Sequence, residues 1–187
     1  MKKAVLLGDS IRLIGYGPKV PALLEDVCEV WQPQDNGRYS TFTLHSIMHY
    51  WREDIRDSDV IHWNNGLWDV QIGTDGKPLT ALPDYVNTMS RIADILLANA
   101  RKVIFATTTP VTAVHPDISN TDIDRYNAAL VPVLREKGVL IHDLHGLIAA
   151  DIGRFVRKDD NIHLTEEGNE TAARAVAEIL RRALSDE

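Results

Sequence analysis

The stretch Ala4-Val5-Leu6-Leu7-Gly8-Asp9-Ser10 decides how the chain is read. Four consecutive apolar residues predict a strand buried on both faces, as in a parallel sheet, and the glycine, aspartate and serine that follow end it abruptly. In an open α/β sheet the carboxyl end of a strand borders the ligand crevice, so Ser10 is the first candidate for chemistry. Near the other end of the chain, Asp160-Asn161-Ile162-His163 stands just before a predicted helix. A histidine with a carboxylate three residues away can supply a general base and the group that orients it. Together these residues point to a serine hydrolase.

Apolar runs like the first recur at residues 27–31, 60–63, 103–107 and 139–144, short and rich in valine and isoleucine, and predict four more buried strands. Between them lie stretches of helical period. Residues 39–55 repeat apolar side chains at Leu44, Ile47, Met48 and Trp51, and residues 84–100 at Val86, Met89, Ile92, Ile95 and Leu96. A third helix begins at Ser119 or Thr121 and ends at Gly138, with Asp122 and Asp124 favouring its positive end. Thr165 caps the last helix, which runs to about Leu184. Strands alternating with helices imply right-handed crossovers and a single three-layer α/β/α domain over residues 1–187, with a flavodoxin-like five-stranded parallel sheet. The least regular segment, residues 64–83, carries Gly66, Gly73, Gly76, Pro78 and Pro83 and directly follows the third strand. It is read as a functional loop. Ser10, Asn64 and the Thr107-Thr108-Thr109-Pro110 loop should gather on one edge of the sheet.

Composition narrows the classes. With 44% hydrophobic residues among 187, the chain can bury a sizeable core. A net charge of −7, a pI near 5.5 and no basic tract argue against nucleic acid or an anionic membrane as partner. No run approaches the ~20 apolar residues of a membrane span, and Met1-Lys2-Lys3 is followed by too few apolar residues for a signal peptide. A cytoplasmic location is the resulting expectation. The single cysteine, Cys28, cannot form an internal disulfide and reads as a buried strand thiol.

These residues resemble the SGNH hydrolases, also called GDSL esterases. Gly8-Asp9-Ser10-Ile11 resembles the first family block, which implies that Ser10 is the nucleophile. Trp63-Asn64-Asn65-Gly66 is similar to the third block, a Gly-x-Asn-Asp turn whose asparagine faces the oxyanion; Asn64 takes that place. His62 stands where the glycine is usual and Asn65 where the aspartate is usual. Asp160 and His163 match the last block, the Asp-x-x-His pair that completes the triad. The second block is the weakest match. Gly37-Arg38 resembles the Gly-Arg-Ser form of sugar-deacetylating members, implying Gly37 as the oxyanion-hole amide, whereas another register gives Thr41.

The chemistry explains the residue types. A serine hydroxyl needs an imidazole within hydrogen-bond reach to take its proton, which His163 could do, and a carboxylate to fix the useful tautomer, which Asp160 could do if the intervening turn folds back. Ser10 N–H, Gly37 N–H and the Asn64 side chain would stabilise the oxyanion, each donor being worth about 3–4 kcal/mol of barrier. Trp68 and Thr108 are expected to touch substrate, with Trp63, Trp31 and Tyr39 also near the pocket or in the core. Aromatic rings beside a shallow polar site suit sugars, and no long apolar lid is evident, so the expected substrate is a small ester with an acetyl or other short acyl group. His45 and His49 stand four apart, which is metal-ligand spacing, but no carboxylate motif accompanies them and no metal is expected. His142 and His145 are assigned at most a supporting role near the fifth strand, while His115 lies in a polar loop. Gly15-Tyr16-Gly17 lacks the third glycine of a dinucleotide fingerprint, and no cofactor is expected. The competing class is a non-catalytic flavodoxin-like binding module, which would share the sheet without needing Asp160 and His163 beside Ser10.

Overall fold

The structure is a computed structural model and describes residues 1–185. Five parallel strands, β1 (Lys2–Leu7), β2 (Cys28–Trp31), β3 (Ser58–Trp63), β4 (Ala100–Ala106) and β5 (Leu140–His142), form one sheet in the order β2-β1-β3-β4-β5. The helices are α1 (Val20–Leu23), α2 (Ser40–Met48), α3 (Leu67–Val70), α4 (Leu82–Leu97), α5 (Asn120–Glu136), α6 (Leu144–Ala149), α7 (Ile152–Phe155) and α8 (Glu166–Ser185). Helix α4 packs with α2 and α5, and α8 packs with α1, α6 and α7. Ala4 to Leu7, Val60, Ile61, Val103, Ile104 and Phe105 are fully buried because helices cover the sheet. The expected three-layer α/β/α architecture is the one observed. Among the described residues no helix is long and apolar enough to cross a membrane.

This strand order has a switch point, because the chain leaves β1 toward β2 on one side and returns to β3 on the other. Ligand crevices form at such points. The register pairs Leu7 with Trp63, and Asn64 N–H donates to Leu7 O at 3.2 Å, so the exits of β1 and β3 lie side by side. Ser10 and Asn64 therefore emerge together.

Three local departures from the sequence reading have physical causes. Helix α2 ends at Met48, not near residue 55: the Ser46 carbonyl accepts from His49, Tyr50 and Trp51 amides, which unwinds the chain there. Trp51 and Ile55 are still buried, so the apolar pattern reported burial correctly and continued helix wrongly. Strand β5 stops at His142 because the Asp143 carboxylate accepts from Gly146 N–H at 2.9 Å and starts α6. Residues 64–83 are a built loop, with α3 at its start and an antiparallel bridge between Ile72 and Pro78. The caps read more directly: Ser119 accepts from Asp122 N–H at 3.1 Å to begin α5, and Thr165 accepts from Gly168 N–H at 3.1 Å at the start of α8.

Candidate active site

Ser10 sits at the start of an irregular helical turn, Ile11–Tyr16, directly after β1. Asp9 builds that turn: its carbonyl accepts from Arg12 and Leu13 N–H and its carboxylate from Ile11 N–H at 3.0 Å. The Ser10 amide has no protein acceptor among the described residues. Ser10 Oγ lies 2.9 Å from His163 Nε2, and His163 Nδ1 lies 2.9 Å from Asp160 Oδ2. The turn between the two folds back because Asn161 adopts a left-handed conformation, φ 65°, which asparagine tolerates better than most residues. Thr112 clasps it, donating N–H to Asn161 O at 3.0 Å and Oγ1–H to Asn161 Oδ1 at 2.7 Å. Burial raises the Asp160 carboxyl, but amides of Ile162 and His163 and the His163 ring outweigh it and hold it down at about 2. It is therefore a carboxylate at any pH near neutrality. A hydroxyl, an imidazole and a carboxylate in this chain can pass a proton from Ser10 to His163.

Asn64 is buried and doubly fixed. Its Oδ1 accepts from the Tyr16 hydroxyl at 2.9 Å, and its Nδ2 donates to Asp9 Oδ1 at 2.9 Å. An amide nitrogen carries two hydrogens, and only one is used by Asp9. Tyr16 is fully buried, and burial pushes its phenol upward, so it stays a neutral donor. Gly8 must be glycine here, since a Cβ would stand 2.0 Å from Asn64 Oδ1. Arg12, also fully buried, ties the β1 and β2 exits together by donating to Pro33 O and Asp35 O at 2.7 Å and to Gly8 O at 3.3 Å.

Burial raises Asp9 to about 6, against the lowering pull of the Asn64 and Ile11 hydrogen bonds and the Arg12 charge. A carboxyl raised on folding binds its proton more tightly folded than unfolded, so its stability contribution falls as pH rises from about 4 to about 6 and stays low above. Asp9→Asn is therefore expected to melt above wild type at pH 8, with the difference shrinking toward pH 4. A difference independent of pH in parallel thermal melts would contradict this account of Asp9.

Two sequence expectations are corrected. Gly37 N–H donates to Gly8 O at 2.8 Å and is not available to an oxyanion; it closes the β2 exit onto the β1 exit instead. Thr41 N–H, in the first turn of α2, has no protein acceptor among the described residues. Thr108 is not a substrate-facing side chain. It is buried, with Oγ1 donating to Asn65 O at 3.0 Å, beneath Gly66, whose φ of 147° requires glycine and whose added Cβ would stand 2.1 Å from that oxygen. Asn65 is committed throughout: Oδ1 accepts from Trp63 Nε1–H at 3.0 Å, and Nδ2 donates to Arg38 O at 2.9 Å. Buried Asp69 accepts from the Ser40 amide and hydroxyl and fixes the start of α2 against the β3 loop.

The remaining candidates lie apart from this chain of contacts. His62, fully buried, pairs with His142 at 3.1 Å and meets the Tyr16 ring edge-on, and burial holds both histidines below the usual imidazole range, His142 at about 4. His145 contacts Thr108 O and Asp124, and His115 accepts from the Asp117 and Ile118 amides. The rings of His45, in the last turn of α2, and His49, just past its end, lie 4.5 Å apart and tilted, and among the described residues no group of three His, Cys, Asp or Glu side chains could hold a metal. A small hollow of about 40 Å³ adjoins Ser10 and His163. A larger one, about 660 Å³, contains Trp68 and Tyr39 but not Ser10. The smaller hollow is the one that Ser10 and His163 border. The sequence assigns Asp9 and Tyr16 no role of their own inside the motifs that contain them, and does not point to Arg12 or Asp69 at all; the sole hint is charge and hydroxyl in an otherwise apolar setting after a strand.

No protein-family model and no curated protein matches the sequence. Solved structures do. A lipase/acylhydrolase from Enterococcus faecalis superposes with a TM-score of 0.81 at 18% identity, covering 100% of this chain and 99% of that one. The acetyl xylan esterase AlAXEase gives 0.79 at 18%, covering 95% and 99%. An acetylxylan esterase from Geobacillus stearothermophilus gives 0.74 at 18%, covering 100% and 95%. The strand order, the Ser10 turn at the switch point and these end-to-end superpositions give one conclusion: the chain has the SGNH-hydrolase fold.

Proposed function

We propose that the protein is a serine esterase that hydrolyses short-chain acyl esters, acetyl esters above all, on carbohydrate alcohols. The observation that carries the reading is the unbroken line from Ser10 Oγ to His163 to Asp160, with 2.9 Å at each step. Acetylxylan esterases among the structural neighbours support the acetyl and carbohydrate parts.

In this reading His163 Nε2 takes the proton as Ser10 Oγ attacks the acyl carbon, and Asp160 stabilises the imidazolium. The carbonyl oxygen becomes an oxyanion facing Ser10 N–H and the second hydrogen of Asn64 Nδ2. Collapse expels the alcohol, which receives its proton from His163, and leaves an acyl-Ser10. Water, deprotonated by the same imidazole, then releases the acid and restores the serine. Tyr16 and Asp9 act through Asn64: a donor on its oxygen and an acceptor on its nitrogen fix which way the amide faces, so the oxyanion meets an N–H without reorganisation.

The test is steady-state hydrolysis of 4-nitrophenyl acetate alongside acetate release from acetylated xylobiose. Asn64→Ala should lower kcat by roughly 10²–10³ with little change in KM, because its hydrogen bond strengthens only as charge develops. Asn65→Ala should instead lower the melting temperature, since it breaks the bond to Arg38 O and leaves the buried Trp63 Nε1–H without a partner, the latter costing about 1–3 kcal/mol. If Asn65→Ala abolished turnover in a stably folded protein while Asn64→Ala spared it, the oxyanion assignment would be off by one residue.

A further inference from the structure

The large hollow does not include Ser10 or His163, but it is built, and its builders connect it to the Asn64 turn. Asp69 takes the Ser40 amide and hydroxyl, while its own carbonyl accepts from Thr80 N–H at 3.0 Å, so the residues flanking Tyr39 and those of the β3 loop share one anchor. The seam begins where Asn65 Nδ2 donates to Arg38 O, one residue from Asn64 and one from Tyr39. Ladder bonds fix the far wall: Gly73 N–H to Lys77 O at 2.8 Å, Leu79 N–H to Gln71 O at 2.9 Å and Ile72 N–H to Asp117 O at 2.9 Å. The walls thus stand without a ligand.

Aromatic and polar side chains line them together. Tyr39, Trp68, Gln71, Lys77 and Asp117 all line the hollow, and among the described residues none of these side chains is held by a hydrogen bond or ion pair to protein, so each is free to meet a ligand. Beside them stand the Trp68 ring, 36% exposed, and Leu79, 56% exposed. Apolar ring faces bordered by uncommitted donors and acceptors match a ligand that has flat apolar faces and hydroxyls at its edges. An alkyl chain would cover Lys77 and Asp117 without offering them partners, at a desolvation cost. At about 660 Å³ the space exceeds what an acyl group of a few carbons needs and lies within the range of small-molecule sites.

We infer that this hollow is a saccharide-binding cleft that holds the sugar part of the ester, with Trp68 stacking on a pyranose ring and Gln71, Lys77 and Asp117 taking its hydroxyls. The inference rests on the esterase reading for its purpose, but binding can be measured without turnover. Xylotetraose and cellotetraose, neither of them acylated, are titrated by calorimetry into wild type, into Ser10→Ala and into Trp68→Ala, with circular dichroism confirming that each is folded. At least one of the two should bind saturably to wild type and to Ser10→Ala alike, and Trp68→Ala should weaken it at least tenfold. Lys77→Met, which leaves the Lys77 backbone bonds intact, should weaken it about threefold or more. No saturable binding of either sugar, binding indifferent to Trp68, or displacement of the sugar by octanoate at lower concentration than by xylotetraose would overturn the cleft assignment. Sugar binding by a protein that hydrolyses neither test ester would leave the cleft standing and defeat the esterase reading alone.

Discussion

Ser10→Ala should fold as wild type does and lose nearly all hydrolysis of 4-nitrophenyl acetate, at least 10³-fold in kcat. The hydroxyl makes a single strong contact, to His163, and lies half-buried at the surface of the crevice, so its removal creates no core cavity and strands no buried group. What it removes is the atom that forms the acyl bond. Oxyanion donors and substrate contacts remain in the variant, which is why some activity above the uncatalysed rate is expected. Activity within tenfold of wild type, measured on protein with an unchanged melting temperature, would mean that another nucleophile acts.

His163→Ala should be nearly as damaging, and more so than removal of any other histidine. His142 is the instructive comparison. It pairs with His62 and not with Ser10, so His142→Ala should cost stability and little turnover. The pH profile adds a second check. A general base must be neutral to accept the serine proton, so kcat/KM should fall as pH drops. Asp160, held at about 2, stays ionised across that limb and contributes nothing to it. Asp9, raised to about 6, does contribute, because its protonation removes a negative acceptor from Asn64 Nδ2. The acid limb of wild type should therefore be steeper than one proton allows, and Asp9→Asn should flatten it to a single proton at a lower overall rate. A one-proton limb in both proteins would remove Asp9 from the mechanism.

Much of this was legible in the sequence because the physics behind it is local or repetitive. Five apolar runs fixed the strands, since a doubly covered parallel strand has no other way to be written, and Ser119 and Thr165 announced their helices by cap chemistry. The Asp160 and His163 pair was legible as a base with its orienting carboxylate, whereas the left-handed Asn161 that folds the turn back is seen only in the structure. What could not be read depends on which groups meet across the sheet edge. Gly37 looked like a free amide, but the Gly8 carbonyl lies 2.8 Å away once β1 and β2 pair. Thr108 looked like a loop hydroxyl open to ligand until the Asn65 carbonyl is found above it. Asp9, Arg12 and Tyr16 carry no periodic signal, because a buried polar cluster is defined by its partners and not by its spacing. The exit of α2 was misread because Trp51 and Ile55 keep helical spacing while being buried by turns.

The central claim, that Ser10 is a nucleophile activated by His163, is tested most directly by covalent labelling. The folded protein is treated with an alkyl fluorophosphonate, digested, and the adduct located by mass spectrometry. A stoichiometric adduct on Ser10, lost in His163→Ala and slowed in Asn64→Ala, is the predicted result. A folded protein that forms no adduct, or forms it at a residue other than Ser10, would contradict the account.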